Sequence, residues 1–130
     1  MIAYTMVGTH NLEKAANFYQ GLFSILGMVE CWKTDRVVSW LSADDQSASK
    51  FCIAYPFDKQ QPKPGNGVMT AFYAKDSQTI NLLYSIAMKN GAADEGEPGL
   101  RPEYGPNLYA AYIRDLDGNK IAFVCFNAEA

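Results

Sequence analysis

The chain has 130 residues, of which 48% are hydrophobic and 19% charged, and its formal net charge is −3. That length supports one compact domain with a core of its own, and that composition excludes an intrinsically disordered chain. The acidic balance, without any basic stripe, excludes a duplex nucleic-acid binder, and no apolar run is long enough to span a membrane.

Ile2 to Val7 reads as a short apolar strand closed by Gly8. Met1-Ile-Ala-Tyr4 has no basic segment leading into an apolar stretch, so no secretory signal is expected. Asn11 offers an N-cap, with Glu13 in the first turn, where the helix dipole favours a carboxylate. Leu12, Ala15, Ala16, Tyr19, Leu22, Phe23 and Leu26 then recur at three-and-four spacing, which predicts one buried helix face, and Gly27 stops the helix. Three strands are expected next, over 28–33, 37–41 and 50–55, the last two separated by the polar tract 42–49. Pro56 ends the third, and 61–67 reads as a linker. The order then restarts: a strand over 68–74, the N-cap Asp76, and a helix to about Asn90 with Ile80, Leu83, Tyr84 and Ala87 on one face. Gly91 stops it. The glycine-rich tract 91–106 has room for a short strand.

The last third organises the chain. Tyr109 to Arg114 and Ile121 to Phe126 read as paired strands, and the loop Asp115 to Asn119 carries Asp117-Gly118, a strong hairpin signal because Gly accepts positive φ. Cys31, Cys52 and Cys125 are odd in number, far apart and each inside a predicted strand. Three buried, reduced thiols in a cytoplasmic protein are expected, not a disulfide or a metal cluster. The N-caps Asn11 and Asp76 lie 65 positions apart, and the stops Gly27 and Gly91 lie 64 apart. The chain therefore reads as two tandem βαβββ modules in one α+β domain: module one over about 1–60, the linker 61–67, and module two over about 68–130. Each module should give a curved, mostly antiparallel sheet with a helix on one face and a concave cup on the other.

The stretches Val7-Gly-Thr-His-Asn-Leu-Glu-Lys-Ala-Ala-Asn-Phe-Tyr19, Pro56-Phe-Asp58 with Gly65-Asn-Gly67, Gly99-Leu-Arg-Pro102 and Tyr109 to Lys120 carry a resemblance. In order, and over most of the chain, they resemble the vicinal oxygen chelate superfamily of glyoxalase I, bleomycin- and fosfomycin-resistance proteins and extradiol dioxygenases. The resemblance implies a His/Glu set in the cup holding one divalent ion, which chelates two neighbouring substrate oxygens. It also implies dimers in which cups form between modules, and a homodimer is expected here. The three positions that map onto the ligand set hold Tyr4, Met69 and Ala122, which is not a donor set for such an ion. His10, the only histidine, and Glu103 are weak substitutes on distant loops, too few for a catalytic metal.

Period-two alternation from those positions places Met6, Ala71, Tyr73, Val124, Ala110 and Tyr112 in the cup as well, with Thr5, Val7, Thr70, Phe72, Ala111, Ile113, Ile121, Phe123 and Cys125 under the helices. A cup lined by Tyr4, Met6, Met69, Tyr73 and Tyr112 suits a flat organic ligand. Arg101 and Arg114 stand nearest its mouth for an anionic group, although Arg114 could pair with Asp115 or Asp117 around the turn. Trp32 and Trp40 are expected in the core or a dimer interface. The expected function is therefore metal-free binding or sequestration of a small organic molecule, with no cofactor and no assigned catalytic residue. The alternative is a glyoxalase- or dioxygenase-like lyase or oxygenase with a non-standard metal site.

Overall fold

Both helices begin where a side-chain oxygen can satisfy an orphan amide. The Asn11 side chain accepts the Lys14 N–H at 3.1 Å and opens α1 (Leu12–Leu26), which Gly27 ends in the left-handed region at φ 75°. Asp76 accepts both the Thr79 N–H at 2.8 Å and the Thr79 hydroxyl at 2.6 Å, opening α2 (Ser77–Lys89). Around the helices the computed structural model, which describes residues 1–128, has eight strands: β1 (Tyr4–Gly8), β2 (Met28–Lys33), β3 (Val37–Ser42), β4 (Lys50–Ala54), β5 (Thr70–Tyr73), β6 (Ala93–Leu100), β7 (Tyr109–Arg114) and β8 (Lys120–Cys125).

The chain divides into two units, Met1–Gly65 and Asn66–Ala130. Each is a βαβββ module with one four-stranded mixed sheet. The orders are β1-β4-β3-β2 and β5-β8-β7-β6, so in each sheet the first strand runs parallel to the last and the other pairings are antiparallel. This is the tandem α+β architecture expected from the repeat. Neither sheet closes on itself as a barrel.

In the first unit, Phe23 and Tyr19 of α1 pack on Trp40 and Phe51, with ring centroids 5.0–5.5 Å apart. All four are buried, and the Trp40 indole N–H donates to Gln20 at 3.1 Å. Phe18 joins the buried face of α1, completing a row with Ala15 and Leu22 that a count of the stronger apolar positions alone leaves out. In the second unit, Ile80, Leu83 and Ala87 of α2 are buried, and so are Ala111, Ile113, Ile121, Phe123 and Cys125 on the alternate positions of β7 and β8. Thr5, Val7, Thr70 and Phe72, on the outer strands, are only partly covered.

Trp32, expected in the core or a dimer interface, is 57% exposed and stands outside the core. Three expectations change. Cys31 is exposed because it lies on the edge strand β2, whose residues from Val29 to Lys33 are all exposed; its thiol reaches the Ser39 carbonyl at 3.5 Å, while Cys52 and Cys125 are buried as expected. The tract after Gly91 contains an eight-residue strand, not a short one. Arg114 pairs with Glu95 across the sheet at 2.9 Å instead of with an aspartate of the turn.

The Asp76 cap yields a first prediction. The Thr79 hydroxyl, and then its amide, hold the Asp76 carboxyl below the ordinary carboxylate range. A lowered folded-state value contributes stability that is present above the unfolded value of about 3.9 and is lost as pH falls through the lower one. Asp76→Ala should therefore lower the thermal midpoint at pH 7, and the gap from the parent should close below about pH 4. Melting curves at pH 7 and pH 3 check this; an equal gap at both would show that the carboxylate charge has no part in the cap.

Candidate functional site on the open face of the second sheet

Each sheet has a face that its helix does not cover. On the second sheet, register fixes what lies there. One row runs Ala71, Ala122, Tyr112, Gly96 from β5 to β6, and the next runs Tyr73, Val124, Ala110, Gly99. The two rows are thus mostly Ala and Gly; Ala110 and Ala122 have no exposed surface, while Gly96, Tyr112 and Val124 border open space. A concavity of about 550 Å³ stands there, lined by Met69, Glu95, Gly96, Arg101, Glu103, Tyr104, Leu108, Tyr112, Lys120, Val124 and Phe126. That size is within the usual range of small-molecule sites.

Arg101 is held with unusual completeness for a half-exposed side chain. Its Nη2 donates to the Glu97 carbonyl at 2.6 Å and its Nη1 to the Leu100 carbonyl at 3.4 Å. A Cβ at Gly96 would stand 2.8 Å from Tyr112 Cδ2 and 3.3 Å from Arg101 Nη2, and one at Gly99 would stand 3.0 Å from Arg101 Nη1. The two glycines are therefore the bed in which the guanidinium and the Tyr112 ring lie. The guanidinium carbon sits 5.4 Å from the Tyr112 centroid, and Lys120 Nζ sits 5.6 Å from the same centroid. Both distances are within cation–π range.

The structure thus gathers Met69, Tyr112, Arg101 and Glu103 about one concavity. Tyr73 shares that open face, where its ring stacks on Phe126 at 6.3 Å between centroids, but it does not line the concavity. Tyr4 and Met6 belong to the first unit, where they line a separate concavity of about 880 Å³ with Arg36, Tyr55, Pro56, Phe57 and Pro62 among others. His10 lines a third, of about 540 Å³, beside Arg36 and Phe57. Pro62 packs so close to β1 that a Cβ at Gly8 would meet its Cβ at 2.7 Å.

Lys120, Tyr104, Phe126 and Glu95 were not anticipated as lining residues. Lys120 was legible. It lies two residues before Ala122, so the same alternation puts it on the open face, but beside Gly118-Asn119 it reads as a turn residue.

The residues at the mapped metal positions do not fit a divalent ion. Ala122, itself fully buried on the central strand β8, offers a methyl group, Met69 a thioether and Tyr4 a phenol. Among the described residues, no group of three or more His, Cys, Asp or Glu side chains is placed to hold a metal ion. No helix among them is long and apolar enough to cross a membrane.

The family model described as the Glyoxalase/Bleomycin resistance protein/Dioxygenase superfamily matches residues 1–123. A crystal structure of a glyoxalase/bleomycin resistance protein from Albidiferax ferrireducens T118 is similar with a TM-score of 0.85 and 31% identity, covering 96% of this chain and 98% of that one. A glyoxalase/bleomycin resistance protein/dioxygenase family enzyme from Burkholderia phytofirmans PsJN gives 0.74 at 16% identity, covering 95% and 97%. Lactoylglutathione lyase from Agrobacterium tumefaciens gives 0.67 at 18% identity, covering 96% and 92%. These last two likenesses concern the fold alone. None of the curated proteins matches the chain.

Proposed function

The chain belongs to the glyoxalase/bleomycin resistance protein/dioxygenase superfamily, and from that premise we propose that it binds or sequesters a small organic molecule without a metal ion. The observation that carries the reading is the floor of the second sheet's open face. At the position where the family resemblance implies a glutamate ligand stands Ala122, fully buried in the row Ala71, Ala122, Tyr112, Gly96, and the concavity on that face is walled by Tyr, Met and Phe. Such a surface gains free energy from apolar and ring contact and offers no donor set for a divalent ion. The lyase or oxygenase alternative would draw on His10, Glu103 or Tyr4 for a non-standard metal site, and among the described residues no group of three or more His, Cys, Asp or Glu side chains is placed to hold an ion.

We further propose that the working species is a cytoplasmic homodimer. Tyr4, Met6 and Trp32 on the first sheet, and Tyr73 on the second outside the ligand concavity, are large apolar side chains left exposed. Exposed apolar surface of that extent favours association, and a second copy of the chain is the proposed cover. Three free cysteines agree with a reducing compartment.

The test is a fragment screen by NMR on the untagged protein, run with and without excess chelator, beside sedimentation at the same concentration. Expected are fragments that shift the amides of Gly96, Arg101 and Tyr112 equally in both conditions, and a species of twice the chain mass. Binding that appears only with zinc, nickel, manganese or iron(II), and that His10→Ala or Glu103→Ala abolishes, would overturn the metal-free reading.

A further inference from the structure

We propose that Arg101 and Lys120 form an anion-recognition pair, and that the ligand of this face is a planar aromatic carboxylate. The inference rests on the reading of that face as a small-molecule site, and adds the ligand's charge and class.

The guanidinium is fixed before any ligand arrives. Two backbone carbonyls hold it, and Gly96 and Gly99 leave the space it occupies. A fixed guanidinium loses little freedom on binding and presents its remaining N–H groups in a plane suited to a carboxylate. Lys120 is drawn to the same Tyr112 ring from β8. Among the described residues neither cation has a carboxylate partner, whereas the nearby Glu95 is neutralised by Arg114 at 2.9 Å. Glu103, the other carboxylate of the lining, is exposed on a loop, where water screens it. Two cations against one screened carboxylate leave a positive balance that fits one negative charge. Beside them the walls are Met69, Tyr104 and Phe126, polarizable and ring-bearing, which suits a flat hydrocarbon body more than a sugar or a chain of hydroxyls.

The experiment compares 2-naphthoate with 2-naphthamide, which has the same shape without the charge, by NMR titration of the full chain. Expected is at least tenfold tighter binding of the carboxylate, with amide shifts at Gly96, Tyr112 and Lys120. Lys120→Gln and Arg101→Gln should each abolish that preference, while Lys120→Arg should keep it. In the parent protein, which carries no folding risk, naphthoate affinity should fall as salt rises and naphthamide affinity should not. Equal affinity for the two probes, with no salt dependence, would overturn the anion pair and leave the small-molecule reading standing. No binding of either probe to this face would overturn both.

Discussion

Phe23→Ala should lower the stability of the first unit by about 3–5 kcal/mol, the usual cost of emptying a buried phenylalanine site. Phe23 has no solvent exposure, and its ring lies 5.4 Å from Tyr19, 5.2 Å from Trp40 and 5.5 Å from Phe51, measured between centroids. Removing it opens a void between α1 and the two central strands, and the three rings that remain, Tyr19, Trp40 and Phe51, cannot collapse into that void without leaving their rotamers. Both tryptophans of the chain are in this unit, so urea unfolding followed by tryptophan fluorescence reads it directly. The midpoint should drop with little change in slope. Trp32→Ala, removing an exposed ring of larger size, should cost far less at a protein concentration where association is absent. A loss below about 1 kcal/mol for Phe23→Ala would contradict the packing of this core.

The helices were legible because their signals are local. Asn11, Asp76, Gly27 and Gly91 mark helix ends through their own hydrogen bonds or positive φ, so the sequence alone carries the two-module repeat. What could not be read depends on partners distant in the chain. Ala93 to Leu100 holds two glycines and a proline, a composition that argues for a loop. It is a strand because β7 pairs with it, and its register shifts around Gly96 and Gly99 absorb Pro98. The glycines that hide the strand are those that admit the Tyr112 ring and the Arg101 guanidinium. One feature therefore concealed both the element and the architecture of the concavity.

Alternation placed Ala71, Ala110, Tyr112, Ala122 and Val124 on one face correctly, since period two needs only a strand and one anchor. What local signals do not show is a strand's place in its sheet: Cys31 lies in a strand as expected, but β2 is the edge strand and its residues from Val29 to Lys33 are all exposed. The hairpin was legible from its local signal: β7 and β8 pair as far as Arg114 and Lys120, leaving the expected loop from Asp115 to Asn119 around Asp117-Gly118.

Asp115→Ala should destabilise the second unit by about 3 kcal/mol, the scale of a lost charge-assisted hydrogen bond with its amides left unpaired. The Asp115 carboxylate is buried within the loop that it closes. One oxygen accepts the N–H groups of Asp117 and Asn119, both at 2.9 Å, and the other accepts from the Asn119 side chain at 3.0 Å. An alanine removes the acceptors and keeps the burial. Asp115→Asn separates the two contributions: it retains one oxygen for the two amides but sets an NH2 group against Asn119 Nδ2, so its cost should fall between parent and Ala. The effect should reach the concavity, because this loop fixes where β8 begins, and Lys120 is its first residue. Urea unfolding followed by far-UV circular dichroism measures the stability loss. The Gly96 and Lys120 amide shifts of the folded variant report the site. A variant as stable as the parent, with Lys120 unmoved, would show that the backbone bonds of the loop, from the Asp115 N–H to the Asn119 carbonyl and from the Gly118 N–H to the Asp115 carbonyl, hold the hairpin without the carboxylate.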